Sequence, residues 1–169
     1  MKVLIAVINM LCLVFTINAQ VISYQEIPTP ESKAGLDIFL EYTSPRDEVI
    51  ISNGKLTHIS KTYHYDENRP YVATPVSMST NVIANRIPLD GRQLTNLQDM
   101  IRSSGLTKLQ RQSYGAPHGQ RSYDYTLRLE VDGRSYSYIY RSNPSYPHAP
   151  QQFTQMKEYI WRLVAEVER

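Results

Sequence analysis

Apolar positions along this chain fall into a few clear periods. Leu36, Ile38, Leu40 and Tyr42 alternate with Asp37, Phe39, Glu41 and Thr43, the two-residue repeat of a strand with one buried face. Pro45-Arg46-Asp47 then turns the chain. Val49-Ile50-Ile51 and Leu56-Thr57-His58-Ile59 flank Asn53-Gly54, and Asn-Gly between apolar runs predicts a hairpin, because both turn residues must accept positive φ. The third strand extends toward Tyr65.

From Asp66 to Pro88 the pattern fails, with Pro70, Pro75 and Pro88 and one short apolar piece at Val82-Ile83, leaving room for an edge strand and little else. Helical signals follow. Asp90 and Gln93 have the spacing of a capping box, Leu94, Leu97, Met100 and Ile101 share one side, and Gly105 supplies the stop. After a Gly- and Ser-rich loop over 113–119, Tyr123, Tyr125, Leu127, Leu129 and Val131 alternate with polar residues as far as Asp132-Gly133. Pairing across that turn sets Leu129 opposite Tyr136, Leu127 opposite Tyr138 and Tyr125 opposite Tyr140, which predicts one apolar, aromatic face. A proline-rich connector from Asn143 to Pro150 leads to a closing helix carrying Phe153, Met156, Ile160, Leu163, Val164 and Val167 at helical spacing. Tight turns between strands predict an α+β fold, an antiparallel hairpin-built sheet with two helices packed on one face.

The N-terminal pattern is of another kind. Met1-Lys2, an almost unbroken apolar run from Val3 to Ile17, and Asn18-Ala19 before Gln20 have the layout of a secretory signal. The run is shorter than the ~20 residues of a membrane-spanning helix, so no membrane span is expected. The expected division is a signal at 1–19, a flexible lead-in at 20–34 and one domain at 35–169, in a product that is periplasmic or extracellular. Cys12 is the sole cysteine of the 169 residues and leaves with the signal, which removes thiol catalysis and thiolate metal sites from consideration. Asn143-Pro144-Ser145 has proline in the position that bars N-glycosylation.

Charge adds little. Without Lys2 the chain has seventeen basic side chains against sixteen acidic, and its most basic stretch, Arg102 to Arg141, carries seven positive and three negative charges spread between apolar positions. That is a solvated strand surface, not a nucleic-acid footprint.

Candidate chemistry is equally sparse. His58, His64, His118 and His148 show no chelating spacing and read as surface or loop histidines; no metal and no cofactor is expected. A serine nucleophile needs a strained exposed turn with a base at hand, and Ser103-Ser104-Gly105 and Ser113-Tyr114-Gly115 are better read as a helix stop and a loop. The scattered acids show no pair in an apolar setting, and Gly115 and Gly119 open no helix that could cradle phosphate. No catalytic residue is assigned. Tyrosine is what stands out, at thirteen copies. Tyr125, Tyr136, Tyr138 and Tyr140 belong to the expected core, whereas Tyr63, Tyr65, Tyr71, Tyr114 and Tyr146 lie in or beside loops and are the candidate contacts for a partner, since tyrosine gives large contact area with a polar tip at low entropic cost.

The order of an N-terminal hairpin, a helix led by Asp90 that runs into Gly105-Leu106-Thr107-Lys108-Leu109, a Tyr125-to-Arg134 hairpin turning at Asp132-Gly133, and a closing amphipathic helix resembles small bacterial proteins of the emfourin type, which inhibit thermolysin-like metalloproteases. The likeness covers mainly Leu89 to Val167, and the signal, the lead-in and the 66–88 stretch depart from it. It carries over no inhibitory residue. The missing catalytic sets and the tyrosine-bearing loops, with the signal, point to an exported, non-catalytic binding module whose partner is a protein, and the resemblance implies a protease-inhibitor-like one. Two other readings stay open: an accessory or structural subunit of a bacterial envelope complex, and an enzyme whose site is gathered from residues distant in sequence.

Overall fold

A computed structural model describes residues 38–68 and 74–169. The expected signal, the 20–34 lead-in and Tyr71 lie outside the described residues. The first described stretch is a meander of β1 (Phe39–Thr43), β2 (Asp47–Ser52), β3 (Lys55–His64) and β4 (Ser77–Pro88), each antiparallel to the one before. Asn53 and Gly54 take φ of 53° and 67°, the paired positive values that a two-residue turn between twisted strands requires.

Helix α1 (Gly91–Ser104) opens on the expected capping box. The Asp90 carboxylate accepts from the Gln93 amide at 2.7 Å, and the Asp90 amide donates back to Gln93 Oε1 at 2.9 Å. Gly105, at φ 71°, ends the helix in the left-handed conformation. A single 3-10 turn at Leu106–Lys108 leads to β5 (Ser113–Gly115), β6 (Tyr123–Val131), β7 (Arg134–Ser142) and α2 (Gln151–Val167). The β6–β7 hairpin has the register that its sequence predicts, with Leu129 opposite Tyr136 and Tyr125 opposite Tyr140.

The seven strands form one sheet in the order β4-β3-β2-β1-β6-β7-β5. β1 is central: Leu40 is flanked by Ile51 and Leu129, and Tyr42 by Val49 and Leu127. All six of these side chains are buried. They join Leu97 and Ile101 of α1, Leu106, and Phe153, Met156, Ile160, Leu163 and Val164 of α2 in one hydrophobic cluster. Each fully buried side chain of this kind contributes roughly 1.5–3 kcal/mol.

The architecture overturns the expected antiparallel, hairpin-built sheet with two helices packed on one face. The sheet is mixed and dominates the fold. β5 runs parallel to β7, pairing Ser113 with Ile139 and Gly115 with Arg141. β1 meets β6 only after the chain has made β2, β3, β4 and α1, so the middle of the sheet is joined by a long connection and not by a turn. Three residues of a Gly- and Ser-rich loop are too few to show any period, which hides β5. The stretch read as irregular holds β4, at twelve residues the longest strand described. Only Ala84 of its residues is buried, and the short alternation of Val76, Met78 and Val82 with Ser77, Ser79 and Asn81 lies among prolines and polar residues that break up the pattern.

Candidate functional site

The turn between β1 and β2 is held from several sides. The Ser44 amide donates to the Asp47 carbonyl at 2.8 Å, and Ser44 Oγ accepts from the amides of Arg46 and Asp47 at 3.2 and 2.9 Å. Lys61 in β3 donates its amide to the Arg46 carbonyl at 2.6 Å, tying the turn to the neighbouring strand. Side-chain-to-backbone bonds of this sort fix a loop without any apolar core beneath it.

Two open grooves flank this turn and share Pro45, Arg46 and Asp47 as a common wall. The first, about 400 Å³, is lined by Tyr42, Tyr123, Tyr125, Lys157 and Trp161. The second, about 390 Å³, is lined by residues 60–62 with Tyr63 and Tyr65. Tyr123 is 65% exposed and Tyr65 53%, large values for rings that cost little entropy to fix on binding. Behind them the rings pack on one another. Trp161 stands edge-on to Tyr42 at 6.2 Å and to His58 at 5.5 Å, and Tyr125 stacks on Tyr140 at 6.1 Å. Arg46 and Lys157 add positive charge beside the rings, while Lys61 pairs with Glu48 at 3.1 Å. Burial, with Tyr125 close by as a lesser cause, pushes the Tyr42 phenol well above the usual tyrosine range.

Under the same turn lies a polar string. Ser44 Oγ donates to Asp47 Oδ2 at 3.3 Å, Asp47 Oδ1 faces His58 Nε2 at 3.3 Å, and His58 Nδ1 faces Glu168 Oε1 at 2.6 Å. The reading of His58 as a surface histidine is thus corrected: it is 7% exposed and anchors the end of α2 to the sheet. The arrangement is not that of a serine nucleophile, because the hydroxyl meets the carboxylate and not the imidazole. Nor do the two carboxylates converge on a common point, since they occupy opposite nitrogens of the ring, and no cluster of His, Cys, Asp and Glu suited to a metal occurs among the described residues. His64 bonds Ser79 at 2.9 Å and is exposed, as are His118 and His148.

Of the tyrosines singled out by sequence, Tyr63 and Tyr65 line the second groove. Tyr114 does not join them: it is half-buried against the core from β5, with its hydroxyl accepting from the Arg111 amide at 3.3 Å. Tyr146 is half-buried in the turn that its amide closes onto the Asn143 carbonyl at 3.1 Å. Tyr123, Tyr125, Lys157 and Trp161 were not among the expected contacts. A usable signal exists for Trp161, which falls beside the apolar stripe of its helix and not on it. Tyr123 shows no signal, since it continues the alternation of Tyr125 and Leu127 and is exposed only because β6 begins there.

A third hollow, about 450 Å³, opens between α1 and the Asp132–Gly133 turn and is lined by Ile38, Ile101, Arg102, Arg134 and Tyr136. It contains none of the residues predicted as contacts. No helix among the described residues is long and apolar enough to cross a membrane. No protein-family model matches the chain, and no curated protein is similar to it.

Proposed function

We propose that this chain is an exported, non-catalytic binding module that grips a partner protein at the aromatic surface around the β1–β2 turn. The carrying observation is the pair of open grooves on either side of Pro45–Asp47, which bring Tyr63, Tyr65, Tyr123, Tyr125 and Trp161 together beside Arg46 and Lys157. Shallow, open and aromatic, this surface suits the side chains of another protein better than a small molecule, which needs a cavity that encloses most of it. The partner's contacting segment is apolar with acidic residues at its margin, matching the rings and the two cations. A thermolysin-like metalloprotease is the partner to try first, because the resemblance over Leu89 to Val167 implies it.

The test is a titration of the purified chain into a thermolysin-like protease assay. Inhibition that weakens about tenfold or more in a Tyr63→Ala, Tyr65→Ala, Tyr123→Ala variant, a loss of at least ~1.4 kcal/mol of binding, supports the reading. No inhibition at micromolar excess removes the inhibitor form, and inhibition unchanged by the triple variant removes the grooves as its site.

A further inference from the structure

The two edges of the sheet are built differently. β5 ends one side after three residues, and Gly115 within it sits at φ 79° with its Cα so close to β7 that an added Cβ would stand 2.2 Å from the Arg141 carbonyl oxygen. That edge is short and bent. β4 ends the other side with twelve residues, and among the described residues no strand pairs with its outer flank.

β4 itself divides in two. Over residues 83–88 it is irregular: its register to β3 shifts twice between Leu56 and Ile59, Arg86 takes φ 53°, and Pro88 lacks an amide hydrogen. Bulges, a charge and a proline are the devices that keep an edge from pairing. Over residues 77–82 none of them is present. The register runs unbroken from His64–Ser77 to Ile59–Val82, no residue is charged, and Met78 and Val82 are 51% and 53% exposed. Their β3 partners are Tyr63 and Ile59, which places all four on the face away from buried Leu56 and His58.

We infer that this half-strand pairs with the same half-strand of a second copy of the chain. The occupant follows from the residue order. A two-fold axis through Thr80, normal to the sheet, sets Thr80 opposite its equivalent, Met78 opposite the other copy's Val82, and Ser79 opposite its Asn81. Each side chain then meets one of its own kind on its own face, apolar to apolar and polar to polar, and Thr–Thr is a favourable cross-strand pair. Moving the axis toward Met78 sets Met78 against Thr80 or Val82 against Thr74, and moving it toward Ala84 draws the bulged half into the ladder. The interface is isologous and closes after two copies, so it gives a dimer and no fibre. This pairing stands apart from the groove reading, because dimer formation is measured without any partner protein.

Sedimentation of the purified chain over a range of concentrations tests it. The expected result is a reversible doubling of mass that Thr80→Glu abolishes up to at least about tenfold higher concentration by placing like charges face to face. The variant's circular dichroism and melting stay at least those of the parent, because within one copy the new carboxylate lies opposite Lys61 of β3. In a Cys12→Ser background, Thr80→Cys is expected to form a disulfide-linked dimer on oxidation, whereas Ser113→Cys on the opposite edge is not. A parent chain that remains monomeric at about 100 μM overturns the inference and leaves the half-strand to a strand of some other protein. A dimer indifferent to Thr80→Glu and not cross-linked through Thr80→Cys overturns it as well.

Discussion

His58 shows how one buried polar group is read wrongly from sequence and why. Its carboxylate neighbours come from 11 and 110 residues away, so no local spacing announces them. The two-residue period that puts Leu56 inside nevertheless puts His58 inside too, whereas the missing chelating spacing spoke only against a metal and not for the surface. The tyrosines carry a consequence that titration can reach. Burial raises the phenols of Tyr42, Tyr138 and Tyr159 above the usual tyrosine range, the last two while donating to the carbonyls of Leu106 and Gln93 respectively. A group raised in the folded state stabilises the fold fully below its unfolded value, near 10 for tyrosine, and loses that contribution as pH climbs through the raised values. Melting of the chain is therefore expected to drop above about pH 10, and to drop less steeply in Tyr42→Phe than in the parent, as thermal scans across alkaline buffers would show.

At the level of elements, those with strong local chemistry were legible and those defined only by distant pairing were not. The capping box at Asp90, the left-handed stop at Gly105 and the turns at Asn53-Gly54 and Asp132-Gly133 are each written in two to four residues, and each folds as written. β4 and β5 are edge elements whose strand character comes from β3 and β7, so β5 shows no period and β4 only the brief one of Val76, Met78 and Val82. β5 depends on Gly115 in a way that can be measured. At φ 79° and against the Arg141 carbonyl, alanine adds both backbone strain and a clash, and the expected cost is about 2–3 kcal/mol. Hydrogen exchange should show the loss locally, at the Ala116 and Ile139 amides that donate to Arg141 and Gln112. Full retention of their protection in Gly115→Ala would refute the fit described for this edge.

Across the whole molecule, the decisive feature is that β1 is the seam. The meander that ends in β4 and the hairpin of β6 and β7 touch along Leu40–Leu129 and Tyr42–Leu127, and α2 completes the same cluster from the far end of the chain. Hydrophobic alternation places each strand's buried face but not which strand lies beside which, so the sequence told of the core and not of the order. Leu40 is 1% exposed at that seam, and Leu40→Ala is expected to cost about 2–5 kcal/mol. Because both halves share the seam, urea unfolding of the variant should remain a single transition, coincident by far-ultraviolet circular dichroism and by exchange of amides in β3 and β7. The groove contacts follow the same logic: Tyr123 and Trp161 reach the β1–β2 turn only because β6 and α2 are laid beside it.

The chain has one tryptophan, and it stands where the first groove, Tyr42 and His58 meet. Indole emission from this protein therefore originates at a single address. Anything that settles in that groove, or any loosening of the last turn of α2 from its imidazole anchor, changes the water around that one fluorophore, and the protein carries an unlabelled optical gauge of its own occupancy.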